Sequence, residues 1–207
     1  MEFEDTHRAC LAAILRWRRD VRHFRRDPVD QALIARLRGA MDLAPSVGNS
    51  RPWRVILVQD SGIRSGVHDI FNRSNAAAAT LYSDDQRDAY QRLKLAGLDA
   101  APVHLAVFTA TDPAAGHGLG RQTMAETLRQ STAMAVHCLW LAARAENLGM
   151  GMVSILDPRA MERLLTVPED WEFSAYLCLG WPEFADDTPL LDRVGWQENT
   201  ASSWEIR

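Results

Sequence analysis

Four charged residues within five positions raise the question of chemistry: Arg18, Arg19, Asp20 and Arg22, in the run RRDVR. Guanidinium forks match phosphate oxygens two at a time, so arginines this close could hold a phosphorylated ligand. Composition alone favours a plainer reading, a solvated basic face at a helix end. Asp20 lies inside the cluster. A carboxylate flanked by arginine commonly serves as an ion-pair partner, but aimed into a pocket it could act as a general acid or base. The loop APSVGNSRPW at 44–53 sets Ser46, Gly48, Asn49 and Ser50 beside Trp53. Its hydroxyl, amide and backbone donors suit a heteroaromatic ring with polar edges, although a surface turn explains the same residues. Gly116, Gly118 and Gly120 alternate in AAGHGLGRQ. That spacing is GxGxG, not GxGxxG, and no suitable acid follows about 20 residues on, so a dinucleotide loop is unsupported. His117 has no Cys or His partner at metal-ligand spacing. Ser154 interrupts an apolar run, MVSIL. The simplest account is a hydroxyl bonded to backbone, and it does not stand in a GxSxG elbow.

These residues need elements to position them. Residues 5–19 read as a helix, with Leu11, Ile14 and Leu15 at helical spacing. Asp27-Pro28 reads as an N-cap and first helical position, opening a helix that ends near Ala44-Pro45. Trp53–Gln59 reads as a buried strand. Residues 61–71 suggest a short helix, 72–88 a mobile loop or lid, and 86–97 a helix ending at Gly97. Val103–Thr109 is a second strand. The longest helical pattern, 122–148, carries Met124, Leu128, Ser131, Ala135, Cys138, Ala142 and Ala145 in steps of four and three, with Gly149 as its stop. Met150–Leu156 and Ser174–Gly180 complete the strands, with a helix over 158–165 capped by Asp157. Helices separate the strands, so the class is mixed α and β with a helix-rich periphery.

The bulk properties exclude several functions. The chain has 207 residues, 47 % hydrophobic and 24 % charged, with a formal charge of −4. That supports one folded domain and gives no reason to expect a nucleic-acid partner. No apolar run approaches about 18 residues, so no membrane span is expected. The first fifteen residues make a poor signal peptide. Cys10, Cys138 and Cys178 read as reduced core thiols of a cytoplasmic protein.

Taken together, WRRDVRHF (17–24), APSVG (44–48), RPW (51–53), LKLAGLDAAPVHLAVF (93–108), GHGLGRQTM (116–124), LWLAARAENLGMGMVSILDP (139–158) and AYLCLGWP (175–182) resemble the flavin-dependent nitroreductase superfamily. More narrowly they resemble its BluB branch, the 5,6-dimethylbenzimidazole synthases. The likeness runs in order over roughly residues 14–182. A general nitroreductase typically has Ser where this chain has Asp20. Two positions depart from the family pattern. The Gly195-Trp196 pair is followed by Gln197, Glu198 and Asn199 rather than Arg, leaving Arg193 as the candidate substitute. Arg51 stands where Gln often precedes Pro-Trp.

The resemblance implies an α+β, nitroreductase-like fold: a central mixed or antiparallel sheet flanked by helices, in a homodimer with FMN at the interface. It makes reduced FMN a substrate, with O2 as co-substrate, and 5,6-dimethylbenzimidazole and erythrose 4-phosphate as products. A separate NAD(P)H-flavin reductase would supply the reduced flavin. By the same resemblance Arg18, Arg19, Asp20, Val21 and Arg22 would hold the phosphate and ribityl region, Ser46 would touch the flavin, and Leu95 would line the site. Asp20 would be the acid/base group and Ser154 the second catalytic residue beside the ring. Residues 183–207 would form an extension, on the partner subunit. Two other readings stay open: an NAD(P)H-dependent FMN nitroreductase, against which Asp20 speaks, and a non-catalytic flavin-binding protein.

Overall fold

The computed structural model describes residues 1–93 and 97–207. The apolar runs become β1 (Trp53–Leu57), β2 (Val103–Ala110), β3 (Gly149–Val153) and β4 (Trp171–Gly180). They form one sheet in the order β1-β2-β4-β3, and every pairing is antiparallel. β2 lies inside the sheet and is buried along its whole length. β1 is an edge strand: past the buried Trp53, partly buried Arg54 and Ile56 alternate with Val55 and Leu57, which stay 40 % and 37 % exposed. The expected fully buried strand to Gln59 fails because this edge is uncovered on one face.

Among the described residues seven α-helices surround the sheet: α1 (Asp5–Trp17), α2 (Gln31–Asp42), α3 (Ser61–Ala79), α4 (Asp84–Arg92), α5 (Thr127–Ala145), α6 (Pro158–Leu164) and α7 (Leu190–Arg193). On one face, Leu33, Leu37 and Met41 of α2 and Ala135, Leu139 and Ala143 of α5 pack over Leu105, Val107, Leu177 and Leu179. On the other, Val67, Ile70 and Phe71 of α3 and Met161 of α6 pack over Ala106, Phe108, Tyr176 and Cys178. The odd–even split within β2 follows the two-residue period of a strand.

Several expectations need correction. Asp30, not Asp27, caps α2 by accepting the Ala32 amide at 2.7 Å. Residues 72–79 continue α3 and 84–88 belong to α4, so 72–88 is not a loop. The buried stripe of α5 is Leu128, Ser131, Thr132, Ala135, Val136, Leu139 and Ala143. The predicted stripe drifts off that face because strict seven-residue stepping lags a straight helix by about 20° per heptad. Met124 precedes α5, and Gly149 opens β3 rather than stopping the helix. Of the cysteines, Cys178 is buried, Cys138 partly so, and Cys10 is exposed on α1, no residue of which is buried. No helix among the described residues is long and apolar enough to cross a membrane.

A polar pair is enclosed beneath the sheet. His104 is 2 % exposed, with Nε2 at 3.0 Å from the Ala101 carbonyl and Nδ1 at 2.9 Å from the Tyr176 hydroxyl. The carbonyl can only accept, so Nε2 carries the proton and Nδ1 accepts from Tyr176. Burial, with Arg64 nearby, lowers the His104 pKa to about 4. The folded value lies below the unfolded one, so this stability is full above about pH 6.5 and is lost as pH falls towards 4. Denaturant titrations should show about 2 kcal/mol less stability at pH 5 than at pH 7 from this group, a loss that His104→Gln removes.

Candidate functional site

The arginine-rich run leaves α1 at Arg18 and crosses the open edge of β3. The Val21 amide donates to the Met150 carbonyl at 3.1 Å, and Asp20 forms a parallel bridge with Met150. The chain then passes the end of β4: Arg25 N–H donates to the Trp181 carbonyl at 2.9 Å, and Glu183 N–H to the His23 carbonyl at 3.1 Å. Gly151 permits this crossing. A Cβ there would overlap the Val21 carbonyl oxygen. Glycine inside a strand marks such a close backbone approach.

Asp20 is fixed by both oxygens. Oδ1 accepts the Met152 amide at 3.0 Å and Oδ2 accepts Arg22 Nε at 2.7 Å. Ser154 follows two residues after Met152, at most about 7 Å along the chain. It is exposed and lies just past the end of β3, not inside the strand as expected. The structure therefore brings Asp20 and Ser154 to the same strand end. Arg22 is 15 % exposed, and its Nη1 is buried without a partner. A buried, unpartnered guanidinium nitrogen is costly unless an acceptor reaches it.

The neighbouring arginines do different things. Arg18 lies 4.8 Å over the Trp140 ring of α5, and burial lowers its pKa, with Arg19 adding to the effect. Arg19 Nε donates to the Arg16 carbonyl at 2.9 Å and so caps the end of α1. A cavity of about 80 Å³ has Arg19, Asp20, Arg22 and His23 on one side and Thr188 and Arg193 on the other. Val21 also borders it, with its side chain turned onto the second core.

Ser46 belongs elsewhere in the chain. Its Oγ accepts the Arg51 amide at 3.0 Å. Gly48 and Gly116, both at positive φ, lie back to back, so the Ser46 loop and the glycine loop interlock. This group precedes β1, at the sheet edge opposite β3. Three strand spacings separate those edges, roughly 14 Å. Within one chain the structure does not join Ser46 to the Asp20 group. Leu95 lies outside the described residues. Sequence reasoning gave no role to Gly151, His23 or Thr188. The alternate glycines 149 and 151 in an otherwise apolar strand were the available signal for the first of these.

With this geometry in hand, comparison with known proteins is informative. Residues 15–181 match the model of the Nitroreductase family, and the chain belongs to that family. A 5,6-dimethylbenzimidazole synthase from Rhodobacter capsulatus is 64 % identical over 207 residues, all of both chains. Another from Rhodospirillum rubrum is 53 % identical over 195 residues, covering 94 % of this chain and 92 % of that one. These identities place the chain among the enzymes of that group. An iodotyrosine deiodinase bound to FMN and 3-iodo-L-tyrosine superposes with a TM-score of 0.73 at 20 % identity, covering 95 % of this chain and 97 % of that one. A nitroreductase family protein from Clostridium novyi NT gives 0.64 at 15 % identity, covering 84 % and 85 %. At such identities the likeness shows the fold.

The tight crossing at β3 makes a specific prediction. Gly151→Ala should push Val21 off the strand and cost about 2 kcal/mol in chemical denaturation. The same variant should lose flavin binding in a fluorescence titration. A Gly151→Ala protein with wild-type stability and binding would show that the close contact is dispensable.

Proposed function

We propose that the chain converts reduced FMN and O2 into 5,6-dimethylbenzimidazole, the lower ligand of cobalamin, and erythrose 4-phosphate. The name carried by its 64 % and 53 % identical relatives supports this reading. The observation that carries it is the Asp20 carboxylate, pinned at 3.0 Å by a strand amide and at 2.7 Å by Arg22, beside a strand end bearing Ser154.

The residues present fit a flavin phosphate. Arg22 Nη1 is buried and lacks an acceptor, and Arg19, Arg22 and Arg193 border one cavity. Phosphate esters present acceptor oxygens that such forks satisfy. Reduced FMN, when bound, supplies the electrons that O2 takes up and the carbon atoms of the product. Arg193 and Arg19 hold the phosphate, and Arg22 Nη1 donates to a flavin acceptor. Asp20 Oδ2 takes up and returns the protons that breaking a ribityl carbon–carbon bond requires. Ser154 Oγ donates to a ring heteroatom. A separate NAD(P)H-flavin reductase supplies the reduced flavin.

The site is completed by a second copy. Ser46, stranded at the far edge in its own chain, reaches the flavin of its partner. The extension ends in an exposed segment whose Trp204 and Ile206 are 91 % and 99 % exposed. Its seat on the partner is the groove of about 510 Å³ between α2 and the β1 edge, lined by Ile34, Leu37, Met41, Trp53, Val55 and Leu57. Alternate apolar side chains and an unpaired strand edge suit each other.

Two measurements test this. Purified protein mixed with reduced FMN and air should yield 5,6-dimethylbenzimidazole by mass spectrometry. Asp20→Asn should lower that yield by about 100-fold or more while flavin still binds. Ser154→Ala should lower it by about tenfold. Intact FMN recovered after slow reoxidation would remove the synthase reading and favour a nitroreductase. Light scattering should report a dimer, and removal of residues 199–207 should shift it to monomer. An unchanged dimer would take the tail out of the interface.

A further inference from the structure

The cavity beside Asp20 already contains an anion that belongs to the protein. Asp186 sits on the segment that follows β4. Its Oδ2 pairs with the Arg193 guanidinium, and its Oδ1 accepts the Thr188 amide at 2.8 Å. The pair is half-buried, with side chains 38 % and 26 % exposed. Arg193 is therefore occupied, while Arg22, a residue that also lines the cavity, keeps a buried Nη1 without a partner. The space left is about 80 Å³.

We infer that Asp186 is a built-in competitor for the ligand's phosphate and thereby sets which flavins the site accepts. The inference rests on the reading that a flavin phosphate enters this cavity. A phosphate monoester brings up to about two negative charges and three strong acceptor oxygens, against one charge from the carboxylate. It can displace Asp186 from Arg193. Riboflavin has no group to exchange and leaves the pair closed. A competitor holding Arg193 about nine-tenths of the time weakens phosphate binding about tenfold, because only the open fraction binds. The next residue, Asp187, serves as the contrast. It is bonded to Arg16 Nε at 2.7 Å, tying the same segment to the end of α1, and it does not line the cavity.

The test is a set of equilibrium titrations of FMN, riboflavin and inorganic phosphate against the full chain. Asp186→Asn should bind FMN and inorganic phosphate about tenfold more tightly, with riboflavin unchanged. Asp187→Asn should alter none of the three. Asp186→Ser keeps an acceptor for the Thr188 amide and provides a second version of the same test should the Asn variant fold poorly. Unchanged or weaker FMN binding in both Asp186 variants overturns the inference. So does an equal gain for riboflavin, or the same gain in Asp187→Asn, because either means a loosened segment rather than a freed cation. The underlying reading fails separately, and takes the inference with it, if the wild-type chain binds FMN no better than riboflavin or if Arg193→Gln keeps the full FMN preference.

Discussion

The crossing of residues 20–25 over the open edge of β3 is the contact on which the site depends. It joins an N-terminal segment to a strand about 130 positions later, through the Asp20 carboxylate on the Met152 amide and the Val21 amide on the Met150 carbonyl. Backbone polar groups at a sheet edge must find partners, and here a charged run supplies them in place of another strand. The same step fixes Asp20, aims Arg22 and brings His23 against the segment that leaves β4. Gly151 makes the approach possible, since any side chain there would meet the Val21 carbonyl.

Charge organises the rest of that edge. Asp20 with Arg22 and Asp186 with Arg193 are ion pairs at one small cavity, while Asp187 with Arg16 ties the segment after β4 to the end of α1. The Arg16 guanidinium holds the Asp187 carboxyl below its usual range. Exposed pairs of this kind contribute little to stability. Their consequence is placement: Arg22 and Arg193 are each held by a carboxylate of the same chain at the border of one cavity. Of the three guanidiniums, Arg22 has a buried donor, Nη1, without a partner.

The Ser46 loop and the Asp20 group are anchored separately within the chain. The Ser46 loop is held by the glycine loop and by Ser131 of α5, whose Oγ accepts the Val47 amide at 3.0 Å. That anchoring is at the opposite sheet edge from Asp20. The uncovered apolar residues of α1 and β1 lie on surfaces that the chain itself does not cover.

By its sequence alone, the chain declared its family and its four strands. It also declared the cap at Asp157. Those features are written in local residue types, in apolar periodicity and in motifs matched over most of the length. Strand order, the edge position of β1, the register of the α5 stripe and the placement of Ser154 beyond β3 depended on tertiary contacts. So did the division of labour among Arg18, Arg19 and Arg22, one stacked on Trp140, one capping α1 and one facing the cavity. Three adjacent guanidiniums are chemically alike in sequence. Only the surfaces packed around them decide which one meets an aromatic ring, which a helix end, and which an empty donor position.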